Sequence, residues 1–430
     1  MRAAYSIGLM SGTSMDGIDA ALLKTDGTPH SLERYDFVSL SYSKEFQTLL
    51  KASEFAVKTV LGDWTKACQH FPEFLTQYLQ TELKLPADEV KNMQQQLARY
   101  LQQEEKTDAP LSLEGVVQHS TLLHARAVRR LLDKTGFQSK HISVIGYHGQ
   151  TLYHQPLQKI SVIVGEGQLL SDLLHIPVVN DFRSEDVNQG GQGAPFAPLY
   201  HQALAIQYNL LPLAVVNCGG IANLTHIPTA QPKDLIGFDT GPGNGLLDKL
   251  VRQRTQGKYS FDKDGQFAQK GRVHDLILST LFEKSILKRG TSYFHLVPPK
   301  ALDIGDLTLL PELEGLSLED ACRTLAAFTA ESIVHSLKFL SQDWPTHWIL
   351  VGGGWQNPVI YNEFKDRLSK KMATTPCIQL GDEAGWPSQA VEAQTFAYLA
   401  VRRLQDQPIS YPNTTGVPQP LTGGKIWMPK

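Results

Sequence analysis

The turn that interrupts the run "IGLMSGTSMDGIDAALL", which starts at Ile7, is rich in residues that suit phosphate. Glycine lets the backbone approach a ligand closely, and neighbouring hydroxyl and N–H groups can bind phosphate oxygens. The apolar runs on both sides predict two strands, so this is a hairpin turn rather than a loop opening a helix. Because the sequence has no GxxxxGK[ST] and no GxGxxG that opens a helix, phosphate binding must depend on hairpin turns of this kind.

Two more apolar runs end in glycine-rich turns, "LAVVNCGGIANLTHI" from Leu213 and "WILVGGGWQNP" from Trp348. The backbone amides and hydroxyls of the first two turns could clamp a triphosphate, and the third turn could lie against an adenine ring. The residues concerned are Gly12, Thr13 and Ser14, then Gly219 and Gly220, then Gly352, Gly353 and Gly354. Each cluster could equally be a tight turn that the fold requires. The second run repeats the pattern of the first, which predicts two halves built alike.

A cluster of charged residues follows another apolar strand in "VVNDFRSEDVNQGGQGAPFAP". Asp181, at the end of that strand, is well placed to act as a general base toward water or a sugar hydroxyl. The alternative is that Asp181 caps the next segment and pairs with Arg183, since aspartate commonly caps helices.

Two further polar turns follow predicted strands. "GYHGQT" brings together His148, Gln150 and Thr151, which could bind sugar oxygens, although a single histidine is more often structural. "FDTGPGNGLLD" leads from a strand into a helix, and a helix N-terminus suits phosphate. This turn could equally be a capping device.

Composition favours a small-molecule partner. The 430 residues carry 40 basic and 43 acidic side chains, a formal charge of −3, which offers no footprint for nucleic acid or an anionic membrane. The four cysteines lie far apart without zinc-site spacing. No run approaches the ~20 apolar residues of a membrane span or the apolar core of a signal peptide. We therefore expect a protein of a reducing cytoplasm.

The elements that position these turns predict an α/β fold of two domains. Strands are predicted in "HISVIGYHG", "KISVIVGEG" and "IPVVNDF", and helices in "STLLHARAVRRLLDKTG", "DACRTLAAFTAESIVHSLKFL" and "QAVEAQTFAYLAVRRLQ". The first domain is predicted over 1–205, with an inserted, Gln-rich, solvated helical arm at about 64–115, and is completed by 389–430, where the tail after Pro408 is irregular. The second domain is predicted over 206–388, with a ligand cleft between the two.

Six motifs, in order, resemble those of the anhydro-N-acetylmuramic acid kinase family. They are "GLMSGTSMDGIDAAL", "GYHGQT", "NDFRSEDVNQGGQGAP", "NCGGIANL", "FDTGPGNGLLD" and "VGGGWQNP". The resemblance implies the two-domain actin/hexokinase-like (ribonuclease H-like) ATPase fold. It implies a kinase that opens the 1,6-anhydro ring of anhydro-N-acetylmuramic acid with water and phosphorylates O6 from ATP, giving N-acetylmuramic acid 6-phosphate for cell-wall sugar recycling. It also implies a homodimer.

The resemblance assigns roles to individual residues. Asp181 corresponds to the family's catalytic aspartate, and the sugar-binding positions fall on His148, Gln150, Thr151, Arg183 and Gly193. The ATP-binding positions fall on Gly12, Thr13, Ser14, Met15, Asp16, Gly17, Ile18, Asp19, Gly219, Gly220, Asn223, Gly352, Gly353 and Gly354. Met10 and Asn217 occupy the places where the wider superfamily often has metal-holding aspartates, so the candidate Mg²⁺ ligands are Asp16, Asp239 and Glu331.

Two segments depart from the family pattern. The run after Pro299 and Lys300 reads "ALDIGDL" where family members usually have Ser-Thr-Gly-Arg-Glu, and Ser184 and Glu185 stand where two arginines are usual. Two alternatives therefore stay open. One is a kinase of the same fold for a different sugar, and the other is a sugar- or ATP-binding regulatory protein without turnover that uses the Gln-rich arm as a partner surface.

Overall fold

A computed structural model describes residues 3–12, 14–105, 111–287, 290–302, 306–340, 344–387 and 389–430, without the side chains of 103–105. The chain divides into two compact units. Unit 1 comprises Met1–Tyr200, Gln389–Tyr411 and Val417–Lys430, and unit 2 comprises His201–Ser388 and Pro412–Gly416.

Unit 1 combines one large sheet, one hairpin and a set of helices. Its strands are β1 (Ala4–Met10), β2 (Gly17–Thr25), β3 (Leu32–Ser41), β4 (Val144–Tyr147), β5 (Gln150–Gln155), β6 (Ile160–Val164), β7 (Val178–Asn180) and, late in the chain, β13 (Lys425–Trp427). Its helices are α1 (Lys44–Thr59), α2 (Trp64–Gln69), α3 (Phe71–Thr81), α4 (Ala87–Glu105), α5 (Leu113–Thr135), α6 (Gly167–Leu174), α7 (Ser184–Asn188) and α13 (Val391–Leu404). Helix α8 (Ala197–Gln207) contains the point in the chain where unit 2 begins.

Unit 2 has a second sheet with helices. Its strands are β8 (Leu213–Cys218), β9 (Ile221–Ile227), β10 (Ile236–Pro242), β11 (His347–Val351) and β12 (Cys377–Leu380). Its helices are α9 (Gly245–Arg254), α10 (Asp275–Lys284), α11 (Leu318–His335), α12 (Pro358–Lys371) and the short α14 (Pro412–Thr415).

The two sheets share one topology. The order is β13-β7-β4-β1-β2-β3 in unit 1 and β10-β9-β8-β11-β12 in unit 2. In each sheet the first three strands of the unit form an antiparallel meander, a later strand pairs in parallel with the first strand, and one more strand pairs in parallel with that later strand. Unit 1 has in addition the antiparallel edge strand β13. The prediction of two halves built alike is confirmed, and the repeated order is that of the predicted actin/hexokinase-like class.

Most elements predicted from periodicity are present. The three predicted helices correspond to α5, α11 and α13, and the three predicted strands to β4, β6 and β7. Two predictions hold only in part. One face of the Gln-rich arm packs into the unit 1 core through Leu79, Val90 and Leu97, so the arm is not merely solvated. The tail after Pro408 is not wholly irregular, because β13 pairs with β7 at the edge of the sheet.

Helix α13 lies very close to the unit 1 sheet. A Cβ atom on Gly8 of β1 would lie 1.8 Å from the carbonyl oxygen of Ala393, and one on Gly146 of β4 would lie 2.0 Å from that of Phe396. Both distances are far inside van der Waals contact, so these two strand positions must be glycine for the helix backbone to rest on the sheet.

We expect Gly8→Ala to destabilise unit 1 by about 3 kcal/mol or more, because the added methyl group must displace helix backbone rather than a side chain. Gly136→Ala is the control, because Gly136 ends helix α5 in the left-handed backbone conformation and has open space around it. An alanine in that conformation should cost only about 1 kcal/mol. Urea unfolding followed by circular dichroism measures both. Equal losses would contradict the importance of the close helix–sheet approach.

Candidate active site

Three parallel strands of unit 1 end at the same edge of its sheet. Strand β1 leads into the turn that begins at Ser11, β4 leads to His148, and β7 leads to Asp181. Ligands of open α/β sheets bind at the carboxyl ends of the strands, so this edge is where chemistry is expected.

Asp181 is held through both of its carboxylate oxygens. Its Oδ1 accepts hydrogen bonds from the Ser184 backbone N at 3.3 Å and the Ser184 Oγ at 2.5 Å. Its Oδ2 lies 2.8 Å from the Nζ of Lys425 on β13. The residue has a left-handed backbone with a φ of 53°, a conformation that aspartate tolerates better than most residues. The side chain keeps 21% of its surface exposed, which leaves it accessible to water.

The structural alternative for Asp181 is thus only half right. Asp181 does accept hydrogen bonds from Ser184 at the start of α7, but its ionic partner is Lys425 and not Arg183.

Arg183 turns instead to His148 and Gly193. Its Nη1 donates to the carbonyl oxygen of Gly193 at 2.6 Å, and its Nε and Nη2 lie 3.2 and 3.0 Å from the Nε2 of His148. The Nδ1 of His148 lies 2.8 Å from the carbonyl oxygen of Gly149 and must donate there, so Nε2 accepts from Arg183. Both nitrogens of His148 are therefore engaged, and this histidine orients the guanidinium.

Burial sets the charges in this group. It lowers the pKa of His148 to about 3, with the nearby Arg183 cation adding to the effect. It also lowers the pKa of Arg183 to about 10, against the opposing influence of Glu392 and Asp186. At neutral pH, His148 is neutral and Arg183 is charged, as their hydrogen bond requires.

Gln150 holds the first glycine-rich turn. Its Oε1 accepts from the Ser11 Oγ at 2.7 Å, and its Nε2 donates to the carbonyl oxygen of Gly12 at 3.1 Å. The Ser11 hydroxyl also lies 2.9 Å from that of Tyr42. The predicted sugar ligand Gln150 is thus fully buried beneath the turn, whereas Thr151 is half-buried on β5 opposite Ile163.

The predicted ATP-binding residues of this hairpin differ in their accessibility. Met15 and Ile18 are buried in the core, and Gly17 packs so tightly that a Cβ would lie 2.6 Å from the Leu40 carbonyl oxygen. The Ser14 hydroxyl donates to Asp16 at 2.8 Å on the exposed side. The carboxylate of Asp19 accepts a hydrogen bond from the Ser39 hydroxyl. Burial raises the pKa of Asp19, the negative charge of Asp16 raises it further, and the hydrogen bond from Ser39 lowers it. Thr13 lies outside the described residues.

In unit 2 the glycine-rich turns meet. The carbonyl oxygen of Gly220 accepts from the amides of Gly243 and Gly245 at 3.0 and 3.2 Å, and that of Gly219 accepts from Asn244 at 2.8 Å. The β8–β9 turn is therefore clamped by the turn that opens helix α9. Asn223 lies on β9 opposite Asn217.

The third turn packs on the end of β8. A Cβ on Gly352 would lie 2.3 Å from the Oδ1 of Asn217, and one on Gly354 would lie 2.4 Å from the Sγ of Cys218. The indole of Trp355 donates to the carbonyl oxygen of Val216 at 3.1 Å. Residues that are far apart in sequence thus form one cluster of loops at the carboxyl ends of β8 and β11.

Only some of these glycines are required by packing. Gly243, Gly245, Gly352 and Gly354 leave no room for a Cβ. A Cβ on Gly220 or Gly353 would meet nothing within 4 Å, one on Gly219 would make only ordinary contact, and none of these three has a positive φ. The fold alone does not explain glycine at these positions.

The three candidate magnesium ligands have different partners. Glu331 accepts from Arg367 at 2.6 Å in an ion-pair network between α11 and α12. The Oδ2 of Asp239 accepts from the Leu302 amide at 2.7 Å, while Asp16 stays on the exposed side of the first turn. Within the described ranges, no group of three or more His, Cys, Asp or Glu residues could hold a metal ion.

Comparison with known proteins gives a consistent result. The family model for anhydro-N-acetylmuramic acid kinase matches residues 75–429. The chain is 38% identical over 427 residues to the anhydro-N-acetylmuramic acid kinase of Nitrobacter winogradskyi, covering 99% of both chains. It is 38% identical over 422 residues to that of Zymomonas mobilis, covering 98% of this chain and 99% of the relative.

The chain belongs to the anhydro-N-acetylmuramic acid kinase family. Among solved structures, it is also similar to a ROK family glucokinase from Streptomyces griseus in complex with glucose and AMPPNP, with a TM-score of 0.41, 10% identity, and coverage of 92% of this chain and 99% of that one. None of the helices in the described parts of the chain is long and apolar enough to cross a membrane.

Two residues at this family site escaped the sequence reasoning. Ser184 was singled out only as a departure from the anhydro-N-acetylmuramic acid kinase pattern, yet its hydroxyl and amide hold Asp181. Lys425 carries no local signal, because it is the first residue of a three-residue strand in a tail that the sequence predicts to be irregular.

We expect the protein to lose stability as the pH falls below about 6.5, the ordinary histidine pKa. His148 has a folded-state pKa of about 3, so between these values only the unfolded chain binds its proton. The substitution His148→Gln should reduce the slope of the unfolding free energy against pH by up to about 1.4 kcal/mol per pH unit. Urea unfolding of both chains from pH 4.5 to 6.5 measures the slopes, and an unchanged slope would show that His148 is protonated in the folded protein.

Proposed function

We propose that the protein hydrolytically opens 1,6-anhydro-N-acetylmuramic acid and phosphorylates its O6 with ATP, giving N-acetylmuramic acid 6-phosphate. The observation that carries this proposal is Asp181, a partly exposed carboxylate fixed at the carboxyl end of β7 in a chain of this kinase family. The comparisons do not favour a kinase for a different sugar or a protein without turnover, because the relatives that match along the full length are named for one activity.

In this mechanism Asp181 acts as the general base. It accepts a proton from a water molecule, whose oxygen attacks the anomeric carbon of the sugar. The bond between that carbon and O6 breaks, its electron pair stays on O6, and O6 takes the γ-phosphoryl group while ADP leaves. General-base assistance of this kind typically contributes 10²–10⁴-fold to a rate, which is the scale of loss expected on its removal.

Of the remaining sugar-site residues, some contact the sugar directly and others position those that do. We assign the direct contacts to Arg183, Thr151 and the loop at Gly193, whose carbonyl oxygen already fixes the guanidinium. His148 and Gln150 act through others, since their polar atoms are used to hold Arg183 and the first turn.

For the nucleotide, we assign close backbone approach to the three glycines that packing does not require, Gly219, Gly220 and Gly353. Helix α9, which starts beside Gly220, adds the favourable end of a helix dipole for phosphate. Gly12 and Ser14 of the first turn, in unit 1, stay predicted nucleotide contacts that rest on the family resemblance.

Mg²⁺ would supply charge neutralisation on the phosphates when it is bound with ATP. Magnesium in such sites keeps several waters and uses only one or two carboxylates together with substrate phosphates. Of the candidates, Asp16 and Asp239 fit this role better than Glu331, whose carboxylate is committed to Arg367.

We further propose a cytoplasmic location, where ATP is supplied and free thiols such as those of the four cysteines are stable. The homodimer stays a prediction that rests on the family resemblance.

Asp181→Asn should lower the turnover of ATP with 1,6-anhydro-N-acetylmuramic acid at least about 100-fold, because the amide cannot accept the proton from water. The assay identifies the sugar product by mass, and native protein should yield a 6-phosphate that carries one added water. Asp63→Asn is the matched control, since Asp63 likewise receives a backbone hydrogen bond at a helix start and pairs with a lysine in unit 1. Full activity in Asp181→Asn would overturn the proposed base.

Gly220→Ala and Gly353→Ala should leave stability unchanged but weaken ATP binding about 10-fold or more, since each methyl group would occupy space left for the nucleotide. Gly315→Ala is the matched control in unit 2, because it also adds a methyl group in open space at a glycine without positive φ. Calorimetric titration with a non-hydrolysable ATP analogue measures the affinities. Equal affinities of all three variants for the ATP analogue would show that these turns do not contact the nucleotide.

A further inference from the structure

Lys425 lies beside the proposed base because the C-terminal strand is firmly attached at the sheet edge. In the β13–β7 pair, Lys425 is opposite Asn180, the residue before Asp181. The Trp427 indole donates to the Asn180 side chain at 2.6 Å, and Arg403 donates to the carbonyl oxygen of Gly424 at 2.9 Å. The backbone of Lys425 is therefore fixed, while its side chain is 66% exposed.

The ion pair between Lys425 and Asp181 is of a kind that exchanges partners easily. An exposed lysine–carboxylate pair gains little in water, since solvation competes with it and the long side chain loses entropy on pairing. A second anion that binds the ammonium group in a better geometry can therefore displace Asp181, because opening the existing pair costs little free energy.

Asp181 does not need Lys425 to stay oriented. Its other carboxylate oxygen, Oδ1, is held by the amide and hydroxyl of Ser184, which lies three residues further along the chain. If the ammonium moved away, Oδ2 would become available to water while the carboxylate kept its position.

The substrate of the proposed function carries such an anion. N-acetylmuramic acid differs from N-acetylglucosamine by a lactyl ether on O3, which ends in a carboxylate. On the same sugar ring, that carboxylate lies within a few bonds of the anomeric carbon at which the water attacks.

We propose that Lys425 binds the lactyl carboxylate of the substrate and in doing so exchanges it for Asp181. The inference rests on the proposed function and adds the residue that selects the muramic acid sugar. Binding of the correct substrate then frees the Oδ2 of Asp181 for the attacking water. A sugar without the lactyl group leaves the ammonium on the base.

The test compares the affinities of 1,6-anhydro-N-acetylmuramic acid and 1,6-anhydro-N-acetylglucosamine by calorimetry without ATP. The native protein should prefer the lactyl sugar, and Lys425→Met should reduce the ratio of the two affinities several-fold, up to about 5-fold, the upper worth of an ion pair to an exposed lysine. Lys425→Arg, which keeps the charge, should retain most of the preference.

Lys66→Met is the matched control, because Lys66 pairs with Asp63 in unit 1 and is also 66% exposed. It should leave the affinity ratio unchanged. The inference is overturned if the native protein shows no preference, if Lys425→Met weakens both sugars equally, or if it changes neither. Since binding is measured without turnover, this result is independent of the assay with ATP, whose failure in the native protein would count against the proposed function instead.

Discussion

The direct contact of helix α13 with the unit 1 sheet is the constraint on which the rest of the site depends. Neighbouring strands β1 and β4 each present a glycine to the helix backbone, Gly8 and Gly146, and neither has room for a methyl group. This contact holds β1 and β4 side by side under the helix, so that the turn after β1 and His148 after β4 lie at the same edge of the sheet. Strand β7 is then added in parallel with β4 and brings Asp181 to the same edge.

A half-buried cation next to this edge requires compensation, and the surrounding chain supplies it. The guanidinium of Arg183 donates to a neutral histidine and to a backbone carbonyl. Glu392 and Asp186 partly offset the fall in the pKa of Arg183 that desolvation causes. The histidine stays neutral because burial disfavours its charged form. The carboxylate of Asp181 is thereby left without Arg183 and pairs instead with a lysine exposed to solvent. The Arg183–His148 pair thus lies inward, whereas the Asp181–Lys425 pair reaches solvent, where the proposed exchange with a substrate carboxylate can take place.

Unit 2 shows that glycine-rich turns with the same sequence character serve two purposes. Gly243 and Gly352 are glycine because the turns pack against each other and against the end of β8, where side chains would collide with backbone or side-chain atoms. Gly220 and Gly353 face open space. The first kind builds the arrangement of loops, and the second kind leaves a surface of bare backbone on it, which is what close approach of a ligand needs.

The sequence by itself determined the α/β class, the two similar halves, the turns at the strand ends and the placing of Asp181 after a strand, because periodicity and turn chemistry are local properties of the chain. It could not separate the packed glycines from the open ones, since both kinds look alike until distant segments meet. It also could not find β13, whose three residues carry no pattern and gain their conformation from pairing with β7. Only the tertiary structure placed Lys425 beside Asp181, because an ion pair between residues so far apart in sequence exists only when the sheet edge is assembled.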